Sequence, residues 1–184
     1  MEQTLNKLFG KYYIQITQNH LRKMKIERKR LYLDDVRTPK DEDWHVVRNY
    51  DQFVSTVRLY GLENFDVISL DHDLGDMAME EYYTNVKNNF HLNYENIVGE
   101  KTGYDCCKFL VSESMTKNIP LPQIFVHSAN PIGSHNMMGY INNYLKNCRL
   151  PTTCVHRNIP HTIEEEFHMT PEARKAKWDR YTRK

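Results

Sequence analysis

The sequence predicts an α/β protein with an open, mostly parallel sheet of five strands and flanking helices. Short apolar runs alternate with longer stretches of helical character along the 184-residue chain, a pattern typical of parallel sheets. Polar or acidic residues directly follow three of these runs, where a functional edge of such a sheet is expected. The predicted strands cover residues 30–34, 44–49, 66–71, 123–128 and 152–156.

Start and stop signals place helices between these strands. Asn49 or Asp51 can cap the first of these helices, and Gly61 stops it. Thr102 lies near the start of the second, and Pro131 opens the third. The connection between the first two strands is short for a crossover helix, so either that helix is a single turn or the second strand sits differently. The predicted helices cover residues 51–61, 102–116 and 131–147.

The chain ends and one internal segment fall outside this alternating pattern. Residues 1–29 are predicted to form an N-terminal helical extension, and the α/β domain covers residues 30–160. Residues 161–184 are predicted to form a basic C-terminal helix. Residues 76–100 are rich in Tyr, Asn and Glu and are predicted to be an inserted helix and loop.

Charge is unevenly distributed, although the formal net charge is only +1. Residues 1–30 carry eight Lys or Arg and two acids, and residues 171–184 carry six and two. The body between them, residues 31–170, carries eleven basic and twenty acidic residues. The basic ends can hold a polyanion such as RNA near the acidic body, or they can be solvated helices docked on it.

The composition argues against several classes of protein. No apolar run approaches the roughly 20 residues that a membrane helix needs, and the N-terminus lacks a signal-peptide pattern. The cysteines form no C-x-x-C pair, so neither a zinc site nor a redox motif is indicated. We therefore expect a cytoplasmic protein with reduced thiols and no membrane partner.

Four aspartates follow two of the predicted strands. Asp34 and Asp35 end the first strand, and Asp71 and Asp73 end the strand at 66–71. The carboxyl ends of neighbouring parallel strands meet at one edge of a sheet, so these carboxylates are expected to converge there. Because they repel one another, the sequence predicts a hard cation among them, Mg²⁺ or Mn²⁺.

Titratable and polar residues border the same predicted edge. His72 lies between the second pair of aspartates, and His127 and Ser128 follow the strand at 123–128. A histidine can act as a general acid or base near neutral pH. Arg37 can clamp a phosphate or pair with the acids. The segment NPIGSHNM contains Asn130, Gly133 and Asn136 and opens a helix, whose N–H groups suit an anion.

These motifs resemble a known family. LYLDD, DVISLDHDLG, TGYD and IFVHSANP together look like a response-regulator receiver domain, which has a flavodoxin-like fold. LDDVRTP, SLDHDLG and VHSANPIGSHNM more specifically resemble the cyclic-phosphate processing receiver domains of phages and bacteria. The resemblance covers roughly residues 30–148 and implies a bacterial or phage-infected host cytoplasm.

The resemblance implies a role for several residues. Asp34 and Asp35 match the acid pair that holds Mg²⁺, and Asp71 matches the phosphorylated aspartate of signalling receivers. Asp73 matches a position whose backbone carbonyl contacts the metal, and Ser128 matches a hydroxyl that contacts the phosphoryl group. His72 and His127 are not receiver features, and they distinguish the cyclic-phosphate group, for which RNA repair at 2′,3′-cyclic ends has been suggested.

Two receiver features are missing. The fifth predicted strand offers only Arg157 where receivers have a lysine, and Gly75 stands where a proline usually follows the phosphorylated position. Arginine is not equivalent to lysine as a compact phosphate contact. Both departures argue against a phosphorelay.

The sequence is compatible with three functions. The first is a metal-dependent phosphoesterase, a hydrolase acting on a cyclic or terminal phosphate of RNA or of a nucleotide. The second is a non-catalytic module that binds a cyclic nucleotide or a partner protein. The third is a phosphorylatable signalling receiver. For the first, the predicted catalytic residues are His72, His127, Asp71 and Ser128, the substrate-binding residues Arg37, Asn130, Gly133 and Asn136, and the metal ligands Asp34, Asp35, Asp71 and Asp73.

Overall fold

The protein forms a parallel five-stranded sheet, as a computed structural model of residues 29–149 and 153–163 shows. The strand order is β3-β1-β4-β5-β6, and every neighbouring pair is parallel. The predicted fold class is therefore confirmed. The sheet strands are β1 (Lys29–Leu33), β3 (Trp44–Val47), β4 (Phe65–Leu70), β5 (Gln123–Val126) and β6 (Val155–His156), and a separate two-stranded sheet contains β2 (Arg37–Pro39) and β7 (His161–Ile163).

Three long helices connect the sheet strands. They are α1 (Tyr50–Tyr60), α4 (Gly103–Lys117) and α5 (Pro131–Asn147). Asn49 rather than Asp51 caps α1, since its side chain accepts a hydrogen bond from the Gln52 N–H at 3.0 Å. The strand predicted over 44–49 ends at Val47 in the structure, because Asn49 already caps the following helix.

The core lies mainly on the face of the sheet that these helices cover. Leu31 and Leu33 of β1 point into a large buried cluster together with residues of α1, α4 and α5. Tyr32, between them, points to the other face and packs with Trp44 and Ile159 in a smaller cluster. Successive side chains of a strand point to opposite faces, so one short strand contributes to both clusters.

The short link between β1 and β3 contains no crossover helix. Its residues instead form β2, which pairs antiparallel with β7. This pairing corrects one predicted boundary: His161–Ile163 is a strand of the domain rather than the start of a C-terminal helix. The predicted helices within residues 1–28 and 164–184 lie outside the described residues.

The inserted segment has a defined structure. It contains α2 (Asp76–Glu81), a π-helical turn (Tyr82–Val86), a short α3 (Lys87–Asn89) and a 3₁₀ turn (Tyr94–Asn96). Glu100 accepts hydrogen bonds from the backbone N–H groups of Met77 and Ala78 and so caps the start of α2. The buried Glu81 carboxylate accepts hydrogen bonds from the side-chain amides of Asn85 and Asn96 and from the backbone N–H of Asn93, each at 2.8 Å. These bonds connect the helical and loop parts of the segment.

Candidate metal and phosphate site

Three carboxylates converge at the carboxyl edge of the sheet. Asp34 and Asp35 follow β1 and Asp71 follows β4. These two strands are neighbours at the point where the strand order reverses, and open α/β sheets bind ligands at that point. One oxygen from each of the three carboxylates lies within 4.8 Å of the others. The predicted convergence of Asp34, Asp35 and Asp71 is therefore present.

Asp34 is buried and accepts hydrogen bonds at both oxygens. Its Oδ1 accepts from the backbone N–H groups of Val36 at 3.0 Å and Arg37 at 2.6 Å. Its Oδ2 accepts from Arg37 Nε at 2.5 Å and lies 3.1 Å from His127 Nε2. Burial acts to raise the pKa of Asp34, but the hydrogen bond with His127 and the charge of Arg37 outweigh it and lower that pKa.

Arg37 bridges the ends of three strands. Its Nε donates to Asp34, which follows β1. Its Nη2 lies 2.8 Å from Oδ1 of Asp71, which follows β4. Its Nη1 donates to the backbone carbonyl of His127 after β5 at 3.3 Å. Burial acts to lower the pKa of Arg37, but the charges of Asp71 and Asp34 outweigh it and raise that pKa. The guanidinium therefore stays protonated and adds one positive charge to the acid cluster.

Asp71 has an incomplete set of partners. Among the residues that the structure describes, none gives its buried Oδ1 a well-aligned hydrogen bond, although Arg37 is close. Burial raises the pKa of Asp71, the Arg37 charge opposes this, and the Asp34 charge adds to it. A buried carboxylate oxygen whose close donor, Arg37 Nη2, is poorly aligned, and which lies near two further carboxylates, fits a divalent cation such as Mg²⁺ or Mn²⁺.

His127 lies beside this cluster and is held on both ring nitrogens. Its Nδ1 lies 2.7 Å from Ser69 Oγ, and its Nε2 faces Asp34. Because a carboxylate can only accept, Nε2 carries a proton, and in the neutral ring Nδ1 accepts from the serine hydroxyl. The ring also stacks on Tyr32 with a centroid distance of 4.2 Å. His127 thus orients Asp34 and is itself oriented by the sheet.

His72 is fully buried and belongs to a second network. Its Nδ1 lies 2.7 Å from Asp73 Oδ1, and its Nε2 lies 3.1 Å from the hydroxyl of Tyr94 in the inserted segment. Burial raises the pKa of Tyr94 to about 12, so this phenol remains a donor to the histidine. The Asp73 carboxylate therefore bonds within this network, apart from the three converging carboxylates.

The remaining predicted site residues lie at or just before the start of α5, and three of them contact the second network. Asn130 caps α5 by accepting from the Gly133 N–H at 2.8 Å, and its side-chain amide donates to Asp73 at 3.2 Å. Gly133 lies so close to the His72 ring that a Cβ there would be 2.4 Å from Cγ. Asn136 donates to the Tyr94 hydroxyl at 3.3 Å. Ser128 Oγ accepts from the Asn130 N–H at 3.2 Å.

Sequence reasoning missed two residues that organise the site. Arg48 donates to the backbone carbonyls of Asp34 and Arg37 and to Thr38 Oγ1, and so holds the loop after β1. Tyr94 joins the inserted segment to His72. Arg48 lies within the predicted strand at 44–49, and only its contacts distinguish it from a surface arginine. Tyr94 lies among several tyrosines with no pattern that singles it out.

The fold and the acid cluster define a receiver-like α/β protein. The family model of the cyclic-phosphate processing receiver domain matches residues 29–143, and the chain belongs to that family. A search of curated proteins found no match. A search of solved structures likewise found no match. Within the described part of the chain, no helix is long and apolar enough to cross a membrane.

Proposed function

We propose that this receiver-like domain is a divalent-metal-dependent phosphoesterase that acts on a cyclic or terminal phosphate of RNA or of a nucleotide. The observation that carries this proposal is the convergence of Asp34, Asp35 and Asp71 at the switch point, with His127 hydrogen-bonded to Asp34. The family ties the chain to cyclic-phosphate processing, and the site adds a chemistry that suits it.

A cyclic phosphate is opened by hydrolysis in three steps. Water adds to phosphorus, one ring P–O bond breaks, and the departing oxygen takes a proton. Mg²⁺ or Mn²⁺ held by Asp34, Asp35 and Asp71 would lower the pKa of a bound water and offset the charge on phosphate oxygens. In this proposal His127 holds Asp34 in position, and its ring can exchange a proton with the site. The Ser128 hydroxyl directly follows His127 after β5 and can donate to a phosphate oxygen.

The first test uses RNA with a 2′,3′-cyclic end, incubated with and without Mg²⁺. We expect opening of the ring only with the metal. Asp71→Asn should lower the rate by about 100-fold, because it removes a charged ligand while keeping the shape of the side chain. Asp66→Asn is the matched control, since Asp66 is exposed at the opposite end of the same strand and should leave the rate unchanged. Equal rates for both variants would contradict the proposal.

A second candidate is a non-catalytic module that binds a cyclic nucleotide or a protein. All ring nitrogens of His72 and His127 already have partners within the fold, as expected of histidines that shape a pocket rather than transfer protons. Metal-dependent binding of a cyclic mononucleotide, without any turnover of it or of the RNA, would favour this candidate.

A signalling role is disfavoured by the position of Arg157. Its guanidinium lies over the Phe125 ring, 4.7 Å from the centroid, and the Arg157 side chain is exposed. We therefore expect acetyl phosphate and Mg²⁺ to leave Asp71 unlabelled, as measured by intact-protein mass spectrometry. A mass increase that Asp71→Asn abolishes would instead support a phosphorylatable receiver.

A further inference from the structure

Arg37 uses three different nitrogens within the acid cluster. Nε bonds Asp34, Nη2 contacts Asp71, and Nη1 donates to the carbonyl of His127. Two of the three converging carboxylates therefore already have a positive partner. The sequence predicted that Arg37 binds substrate, but in the structure it contacts Asp34 and Asp71, two of the proposed metal ligands.

The oxygens of Asp34 have no room for a further ligand. A carboxylate offers about four lone-pair sites. In Asp34 two backbone N–H groups occupy Oδ1, and Arg37 and His127 occupy Oδ2, where the Tyr32 hydroxyl adds a weaker contact at 3.5 Å. A metal can bind this carboxylate only if one donor leaves.

Among the four close donors to Asp34, Arg37 can leave at the lowest cost. The two backbone N–H groups belong to the loop directly after Asp34, so they leave only if the loop rearranges. His127 is stacked on Tyr32 and held by Ser69. The Arg37 side chain has several rotatable bonds and keeps 15% of its surface exposed. Its departure also frees Asp34 Oδ2 and Asp71 Oδ1 at the same time.

We propose that Arg37 is a resident counter-cation, and that its guanidinium and a divalent cation occupy the carboxylates of Asp34 and Asp71 alternately. The total charge does not forbid both together, since three carboxylates balance one guanidinium and one divalent ion. The exclusion comes from the shared oxygens. This inference depends on the metal site of the proposed function, but not on turnover.

The test is the affinity for Mn²⁺ and Mg²⁺, measured by isothermal titration calorimetry without any RNA. Arg37→Gln should lower the Kd by about 10-fold or more, because the competing charge is gone. Arg37→Lys keeps the charge, but a lysine cannot bridge two carboxylates as the arginine fork does. Its Kd should therefore lie between those of the unchanged protein and Arg37→Gln. Arg30→Gln is the control for the charge change, because Arg30 pairs with the exposed Asp41 and stacks on Trp44. Its Kd should match that of the unchanged protein.

A second measurement uses the unchanged protein, in case Arg37→Gln does not fold. The Nε–H of Arg37 should give a protected signal in a ¹H–¹⁵N NMR spectrum, assigned by its loss in Arg37→Lys. Saturating Mg²⁺ should shift that signal or abolish its protection, because the guanidinium leaves Asp34.

Each outcome separates this inference from the proposed function. A Kd for Arg37→Gln equal to that of the unchanged protein, or an Nε–H signal that Mg²⁺ leaves in place, overturns the inference and leaves the phosphoesterase open. Absence of metal binding in every variant overturns the inference and the metal-dependent function together. Tighter metal binding by Arg37→Gln, together with no RNA turnover by the unchanged protein, supports the inference and refutes the phosphoesterase.

Discussion

Replacing Gly103 with alanine is expected to lower the free energy of unfolding by at least about 3 kcal/mol. Gly103 begins α4 directly against the end of β4, and its N–H donates to the His72 carbonyl at 2.9 Å. A Cβ there would lie 1.8 Å from the Asp71 carbonyl oxygen and 2.9 Å from its carbonyl carbon. Both are backbone atoms within the core, so relief requires moving the helix or the strand that carries Asp71. Urea denaturation followed by circular dichroism measures the change.

Gly139 provides the matched control for this substitution. It lies in the interior of α5, and apart from its chain neighbours and the nearby backbone of its own helix, no atom of the described residues lies within 4 Å of a Cβ built there. Gly139→Ala should therefore stabilise the protein by roughly 0.5–1 kcal/mol, since alanine loses less backbone entropy in a helix. If Gly103→Ala proved as harmless as Gly139→Ala, the close contact between α4 and the Asp71 backbone would be refuted.

Replacing Asp34 with alanine is expected to lower the free energy of unfolding by about 3–5 kcal/mol, even in buffer that contains a chelator. The substitution leaves the buried donors of Arg37, His127 and the following loop without their acceptor. Breaking a buried ion pair from one side costs more than the pair itself contributes, because a desolvated charge remains. Denaturation in EDTA separates this structural loss from any loss of metal.

Asp41→Ala is the control for Asp34→Ala. Asp41 also pairs with an arginine, Arg30, at 2.6 Å, but this pair lies at the surface. Solvent screens such pairs, so the midpoint of denaturation should barely change. A small effect of Asp34→Ala in EDTA would show that the contacts of Arg37 and His127 with Asp34 add little to stability. In that case the Asp34 carboxylate would serve to bind the proposed metal rather than to stabilise the fold.

Local sequence patterns sufficed for the fold class and for the acid cluster. Residues such as Leu31 and Leu33 mark buried strands by their apolar character. Thr102 was placed near a helix start from the sequence, and the structure shows a capping box there with Asp105. The convergence of Asp34 with Asp71 followed from topology, because parallel strands must end at the same edge. These properties depend on short-range periodicity and on one general rule of chain connection.

Tertiary structure alone decided how the polar groups pair. Arg37 reaches the carbonyl of His127, 90 residues away, and Thr162 reaches Thr38 across 124 residues. Strands of three residues such as β2 and β7 are too short to show a period, so their pairing left no local pattern. The same holds for His72, whose burial depends on Gly133 and on Tyr94 from the inserted segment. Such contacts arise only when distant segments pack together, and they determine which donor occupies each carboxylate.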